Sequence, residues 1–253
     1  MTQNIVSCRP ASYGKYRDKS YEHMAKIGIR YVELPIPKPQ DVNRVRKELG
    51  KHDLSVASLE CPCYIQNENV EEEFKTAVGI AEEFGTKRIF VSVRADKLGK
   101  KTAYEKLRKL GDLAAEKGQV IVLETHPDLV TNGDVGLQTM RGINHSNVRL
   151  NYDTANMYYY NEGIDGVEEL KKILGFVEGV HLKDTNGKYQ TWHFPALGEG
   201  IVDFKRVREL LNKRGFNGPF TIEIEGIQGE NLTLAQTLER MEKSVNHLKK
   251  CGY

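Results

Sequence analysis

The sequence is poor in the features that usually announce a function. Of its 253 residues four are cysteines, Cys8, Cys61, Cys63 and Cys251. They include a C-x-C but no C-x-x-C pair, so neither a zinc knuckle nor a dithiol redox motif is suggested. Free thiols in a reducing compartment are the plainer reading. Neither sign of charge dominates: 37 basic residues nearly cancel 35 acidic ones, which leaves no electrostatic footprint for a nucleic acid or an anionic membrane. No apolar run approaches membrane-spanning length, and the opening MTQNIVSCRP has no basic-then-apolar leader. The chain therefore reads as soluble and cytoplasmic. No Gly-rich phosphate loop follows an early strand, which counts against a doubly wound nucleotide fold. Tryptophan is reduced to Trp192 alone.

What is present is a regular alternation. Eight short, β-branched segments, NIVSC, RYVELPI, LSVASLE, KRIFVSV, QVIVLET, VRLNYD, GVHLKD and FTIEIE, are separated by stretches of helical period. Val42, Val45 and Leu49 recur at helical spacing before Gly50, and Phe74, Ala77, Val78 and Ala81 before Gly85. Tyr104, Leu107 and Leu110 form a third stripe with Thr102 as its cap. Phe204, Val207, Leu210 and Leu211 form a fourth, and Leu234, Leu238, Met241, Val245 and Leu248 the last. Eight strands with helices between them in this length point to an α/β protein with one closed (β/α)8 barrel, a single TIM-barrel domain over residues 1–253.

Four of the later strand segments end in a residue that a divalent metal accepts: Glu124, Asp153, His181 and Glu223. They are 29, 28 and 42 residues apart, two steps of one strand–helix unit and one such unit with an enlarged loop. In a barrel, strand ends on one side converge, and that side carries the active site. Residues i and i+2 share a strand face, so His126, Asn151, Lys183 and Glu225 form a second polar layer beside them. Charges buried there without partners would each cost several kcal/mol, and a divalent cation offsets that cost.

Each residue alone has a plainer reading. Asp153 before Thr154 can cap a turn, His181 can be a hydrogen-bonded core histidine, Glu223 and Glu225 can line a solvated edge, and Glu124 can pair with Lys183. Their occurrence on consecutive strands at one height favours the joint reading. Three carboxylates and an imidazole suit Mn²⁺ first, with Mg²⁺, Co²⁺ or Zn²⁺ compatible. The loop DTNGKYQTWHFPALGEG offers Trp192 as a stacking wall or a loop pin, and His193 as a substrate or second-metal contact or a solvent-exposed histidine. Lys183, Lys188 and Arg94 are candidate anion contacts. Glu33 and Glu60 read as ion pairs across the barrel mouth or as partners of substrate hydroxyls. Cys61 and Cys63 are candidates to line the pocket. Tyr158, Tyr159 and Tyr160 suggest an interface, hence a homo-oligomer.

The segments LETHPDLVTNGD, NYDTANMYY, HLKDTNGK, LGEGIVDF and GPFTIEIEG resemble the sugar phosphate isomerase/epimerase group of xylose-isomerase-like barrels, over nearly the whole chain and most sharply from Val120 to Gly226. The resemblance implies a divalent-metal-dependent isomerase or epimerase acting on a small sugar or sugar derivative through an enediolate. It places the metal ligands on Glu124, Asp153, His181 and Glu223, and gives Glu124 and Glu223 acid–base roles on opposite faces of the substrate. His126 becomes an orienter of Glu124 or a substrate contact. Epimerases of the group often carry a histidine three residues after the ligand aspartate; here Asn156 takes that place. No histidine ends strands three or four, which moves the chain away from the apurinic endonucleases of the superfamily. A dehydratase of the same fold, like inosose dehydratases, shares the proton abstraction and is the second reading. A sugar-binding barrel without catalysis is the third.

Overall fold

The eight segments do form eight parallel strands. A computed structural model describes residues 4–253; the first three positions of the opening MTQNIVSCRP lie outside them. The strands are β1 (Ile5–Cys8), β2 (Tyr31–Pro35), β3 (Ser55–Glu60), β4 (Arg88–Val91), β5 (Val120–Glu124), β6 (Val148–Asp153), β7 (Val177–Leu182), β8 (His193–Phe194), β9 (Pro219–Ile222) and β10 (Gly226–Ile227). All but β8 and β10 join in sequence order into a closed barrel. Closure is made by β9 against β1, from Ile5 opposite Pro219 to Cys8 opposite Ile222. The protein has the (β/α)8 TIM-barrel fold.

The helices are α1 (Ser20–Lys26), α2 (Val42–Gly50), α3 (Val70–Phe84), α4 (Gly99–Glu116), α5 (Gly133–Ile143), α6 (Asn156–Tyr159), α7 (Gly166–Ile173), α8 (Phe204–Lys213) and α9 (Leu234–Lys250). Their apolar stripes face the sheet. On α3, Phe74, Ala77, Val78 and Ala81 are buried, and the helix stops where Gly85 takes a left-handed φ of 68°, a conformation that costs glycine little. On α9, Thr233 and Gln236 form a reciprocal capping box. Thr102 does not cap its helix: α4 begins three residues earlier, at Gly99, because Gly99 to Lys101 continue the helical turn. Among the described residues no helix is long and apolar enough to cross a membrane.

Two details position the site. Asp153 lies directly opposite His181 in the β6–β7 ladder, and Leu182 opposite Ile222 in the β7–β9 ladder. The strand ends that carry the acidic and imidazole groups are therefore level, and they face one mouth. The segment after β7 is not free loop. Asp184, fully buried, accepts backbone N–H bonds from Thr185, Gly198, Gly200 and Val202 at 2.8–3.1 Å, tying the segment's two ends together. Within it β8 pairs antiparallel with β10, a ribbon that the sequence pattern did not announce because each strand is two residues long.

Candidate active site

At the C-terminal mouth of the barrel, Glu124, Asp153, His181 and Glu223 each present one donor atom, and all four atoms lie within 4.8 Å of one another. The strand ends supply the positions; the neighbours decide which atom is offered. Asp153 Oδ1 accepts the backbone N–H groups of Ala155 and Asn156 at 2.9 and 2.8 Å, so the turn-capping reading of this residue holds for one oxygen. Its Oδ2 is left over. His181 Nε2 meets Glu33 Oε1 at 2.9 Å, and Nδ1 is left over. Glu223 Oε1 is ion-paired to Arg9, and Oε2 is left over. Asp153 Oδ2, His181 Nδ1 and Glu223 Oε2 are buried without a hydrogen-bond partner, a costly state for ionisable groups in a protein interior. His181 Nδ1 is 3.2 Å from Glu223 Oε2 and 3.9 Å from Asp153 Oδ2.

Three orphaned donors aimed at one point, with Glu124 beside them, fit a divalent cation. The Lys183 ammonium meets part of the need. It lies 3.1 Å from Asp153 Oδ2, 2.8 Å from Glu223 Oε2 and 2.9 Å from Glu225 Oε2, but off the hydrogen-bond angle to the first two. Burial works against its charge, yet the surrounding carboxylates hold its pKa well above the usual lysine value.

The carboxylates are pushed apart. Burial, and then the nearby Glu223 charge, raises Glu124 to about 7, with Lys183 and His181 pulling the other way. Asp153 is also raised, chiefly by burial. For Glu223 burial is outweighed by Lys183, His181 and Arg9, which hold it well below the usual carboxylate range. His181 is likewise raised well above an ordinary histidine, despite burial, by Glu33 and Glu223.

The cation network behind this contrast was not legible in the sequence. Arg9, the first residue after β1, reaches both Glu223 and Glu60 and lies 3.5 Å from Glu33. Its only sequence signal is its place at a strand end, shared by many surface charges. The mouth-spanning ion-pair reading of Glu33 and Glu60 fits this network. Glu33 does more: with Ser58 donating to its Oε2 at 2.5 Å, it fixes the His181 ring so that Nδ1 faces the carboxylates. Such outer partners typically matter 10- to 100-fold in metal affinity. Glu33→Gln is accordingly expected to weaken Mn²⁺ binding by about that factor with little change in fold, checked by titration calorimetry and circular dichroism.

The remaining candidates divide. The cavity over the cluster, about 690 Å³, is lined by His126, Asn156, Lys183 and Trp192 among others, but not by His193. Alternation along the strand sends His193 away from the face that Trp192 and Phe194 share. Asn156 spans the site, its amide 3.4 Å from Glu124 Oε1 and its carbonyl accepting from Lys183 at 3.3 Å. The His126 ring packs edge-on to Tyr160 at 5.0 Å, with the Arg94 guanidinium 3.2–3.3 Å from its nitrogens. Burial foremost lowers its pKa. Arg94, Lys188, Cys61 and Cys63 do not line the cavity. The three tyrosines are half-buried. Tyr158 binds Gly166 N–H, while Tyr159 and Tyr160 form part of the cavity wall.

Residues 21–251 match the model of a family described as xylose isomerase-like TIM barrel. Among curated proteins, an inosose dehydratase of Geobacillus thermodenitrificans is 26% identical over 279 positions, spanning 93% of this chain and 90% of its own. Among solved structures, a xylose isomerase-like TIM barrel protein from Mycobacterium smegmatis in complex with magnesium superposes with a TM-score of 0.78 at 18% identity, covering 99% of this chain and 98% of that one. A D-allulose 3-epimerase from Methylomonas sp. in complex with D-allulose gives 0.77 at 18% identity, with 99% and 98% covered. At these identities the structural likeness shows the fold.

Proposed function

The chain belongs to the xylose isomerase-like TIM barrel family, and from that premise we propose that it is a divalent-metal-dependent isomerase or epimerase that moves a proton next to the carbonyl of a small polyhydroxylated sugar. One observation carries the reading: Asp153 Oδ2, His181 Nδ1 and Glu223 Oε2 are orphaned and converge beside Glu124. Glu124, Asp153, His181 and Glu223 would hold the cation, which supplies positive charge beside the substrate oxygens where negative charge develops.

The protein's own groups do the rest. Glu124, which burial and the Glu223 charge make harder to ionise than an ordinary glutamate in the metal-free site, is the carboxylate placed to accept a proton from carbon and return it. Glu223 is the second carboxylate within reach, the pairing that inversion at a carbon requires. Lys183 and Asn156, linked to each other and to the carboxylates, orient the substrate hydroxyls. Phe90 packs on the His181 ring at 4.5 Å and keeps water from that side of the cluster.

A dehydratase is the second reading, favoured by the curated relatives: the inosose dehydratases of Geobacillus thermodenitrificans and Clostridium perfringens match 92–93% of this chain. The same proton abstraction would then be followed by loss of a β-hydroxyl, which takes a proton from Glu124 and leaves as water. Incubation in deuterated water with Mn²⁺ and a panel of ketoses, aldoses and inososes, followed by NMR, separates the two. Deuterium beside the carbonyl with the carbon skeleton and hydroxyls intact is the expected result. Stoichiometric water loss would transfer the assignment to the dehydratase. No exchange into any of them would contradict both.

A further inference from the structure

The cavity is larger than the reaction centre needs. At about 690 Å³ it falls in the range that drug-sized ligands fill, roughly 300–1,000 Å³, whereas a single six-carbon sugar is far smaller. The excess lies on one side. Beyond the carboxylate cluster the cavity continues between the segment after β1, which supplies Lys15 and Tyr16, and the segment after β10, which supplies Glu230 and Asn231. The β8–β10 ribbon supplies an aromatic wall.

That wall is layered. Phe194 covers the cluster side, its ring centroid 5.1 Å from Lys183 Nζ. Trp192, two residues away on the same face, packs against Phe194 at 5.1 Å and Tyr159 at 6.2 Å. A sugar seated at the cluster meets Phe194; the indole lies one ring further out. It is nonetheless 42% exposed and lines the cavity. An exposed indole over a polar floor is the pairing that recognises a pyranose, whose C–H face is apolar and whose rim carries hydroxyls. The floor is polar and almost neutral. Arg240 is ion-paired to Glu230. Lys15 donates to Asn231 Oδ1 at 2.7 Å and has two further N–H donors.

From this we infer that the outer half of the cavity is a subsite for a second sugar ring, so that the substrate is a glycosylated carbonyl sugar and not a free monosaccharide. The inference rests on the enolising reading for the inner ring. A phosphate in place of the second ring fits less well: it has no use for the indole, and Lys15 is the one cation there without a carboxylate partner among the described residues.

The test is calorimetric titration of the Mn²⁺-loaded chain with D-fructose, with isomaltulose (fructose carrying a glucosyl ring) and with D-fructose 6-phosphate. Isomaltulose is expected to bind on the order of tenfold tighter than D-fructose, and to change the emission of Trp192, the only tryptophan, where D-fructose does not. Trp192→Ala and Asn231→Ala should each weaken isomaltulose far more than D-fructose. Equal affinities, or no binding of isomaltulose, overturn the subsite. A gain for the phosphate equal to or above that for isomaltulose overturns it in favour of an anion site at Lys15. Deuterium uptake into D-fructose with no isomaltulose preference leaves the enolisation standing and removes only the subsite. The preference without uptake into any sugar does the reverse.

Discussion

Glu124→Gln is expected to lower the rate of hydrogen exchange beside the substrate carbonyl by about a thousandfold, within the 10²–10⁴ range typical for a positioned acid–base group. The amide keeps the shape of the side chain and an oxygen toward the cluster, but cannot take a proton. Its effect on stability runs the other way. The folded-state pKa of Glu124 lies above the usual 4.5, at about 7, mainly because burial disfavours the charge. A raised carboxylate binds its proton more tightly folded than unfolded, so the metal-free protein loses stability as pH rises between those values. Glutamine carries no such proton, and the metal-free variant should lack that component of the decline. An inactive variant that is also less stable than wild type at pH 8 would indicate a structural role instead. The readouts are NMR exchange rates and thermal melts across pH.

Removing the divalent cation should abolish exchange and lower the melting temperature by about 5–10 °C relative to protein with ion at a hundred times its dissociation constant. The physical reason is the trio of orphaned buried atoms, which a cation satisfies at once. Lys183 offsets part of that need without an ion, since its ammonium lies against Asp153 and Glu223. Affinity should fall as pH falls. Glu33 and Glu223 hold His181 protonated above the usual histidine range in the metal-free site, and its Nδ1 must shed that proton before it can ligate. The check is Mn²⁺ titration at several pH values, with proton release measured by varying the buffer's ionisation heat. A pH-independent affinity would remove His181 Nδ1 from the donor set.

The barrel and the cluster were legible in the sequence for the same reason. Parallel strands buried on both faces read as apolar runs, so a charged residue at the end of such a run is conspicuous. Glu124, Asp153, His181 and Glu223 stood out on that ground, and the structure brings their donor atoms together. Arg9 did not stand out, because a strand-end arginine next to a turn is ordinary until the fold sets it against Glu223 and Glu60. The role of Glu33 on His181 spans 148 positions in sequence, and no local pattern announces a pairing of that range. His193 does not line the cavity, because the loop holding it is in part a strand, whose alternation separates it from Trp192 and Phe194. Thr102 lost its capping role to a helix that starts a turn earlier. Local composition signals elements; atom-by-atom partnership needs the closed barrel.

The cluster should take one divalent ion at one place. Crystals soaked in Mn²⁺ and measured for anomalous scattering should show one strong peak per chain, within bonding distance of Asp153 Oδ2, His181 Nδ1, Glu223 Oε2 and a Glu124 oxygen, with Lys183 displaced from the first two carboxylates. An empty cluster under saturating Mn²⁺, or a peak elsewhere with Lys183 still in place, would contradict it.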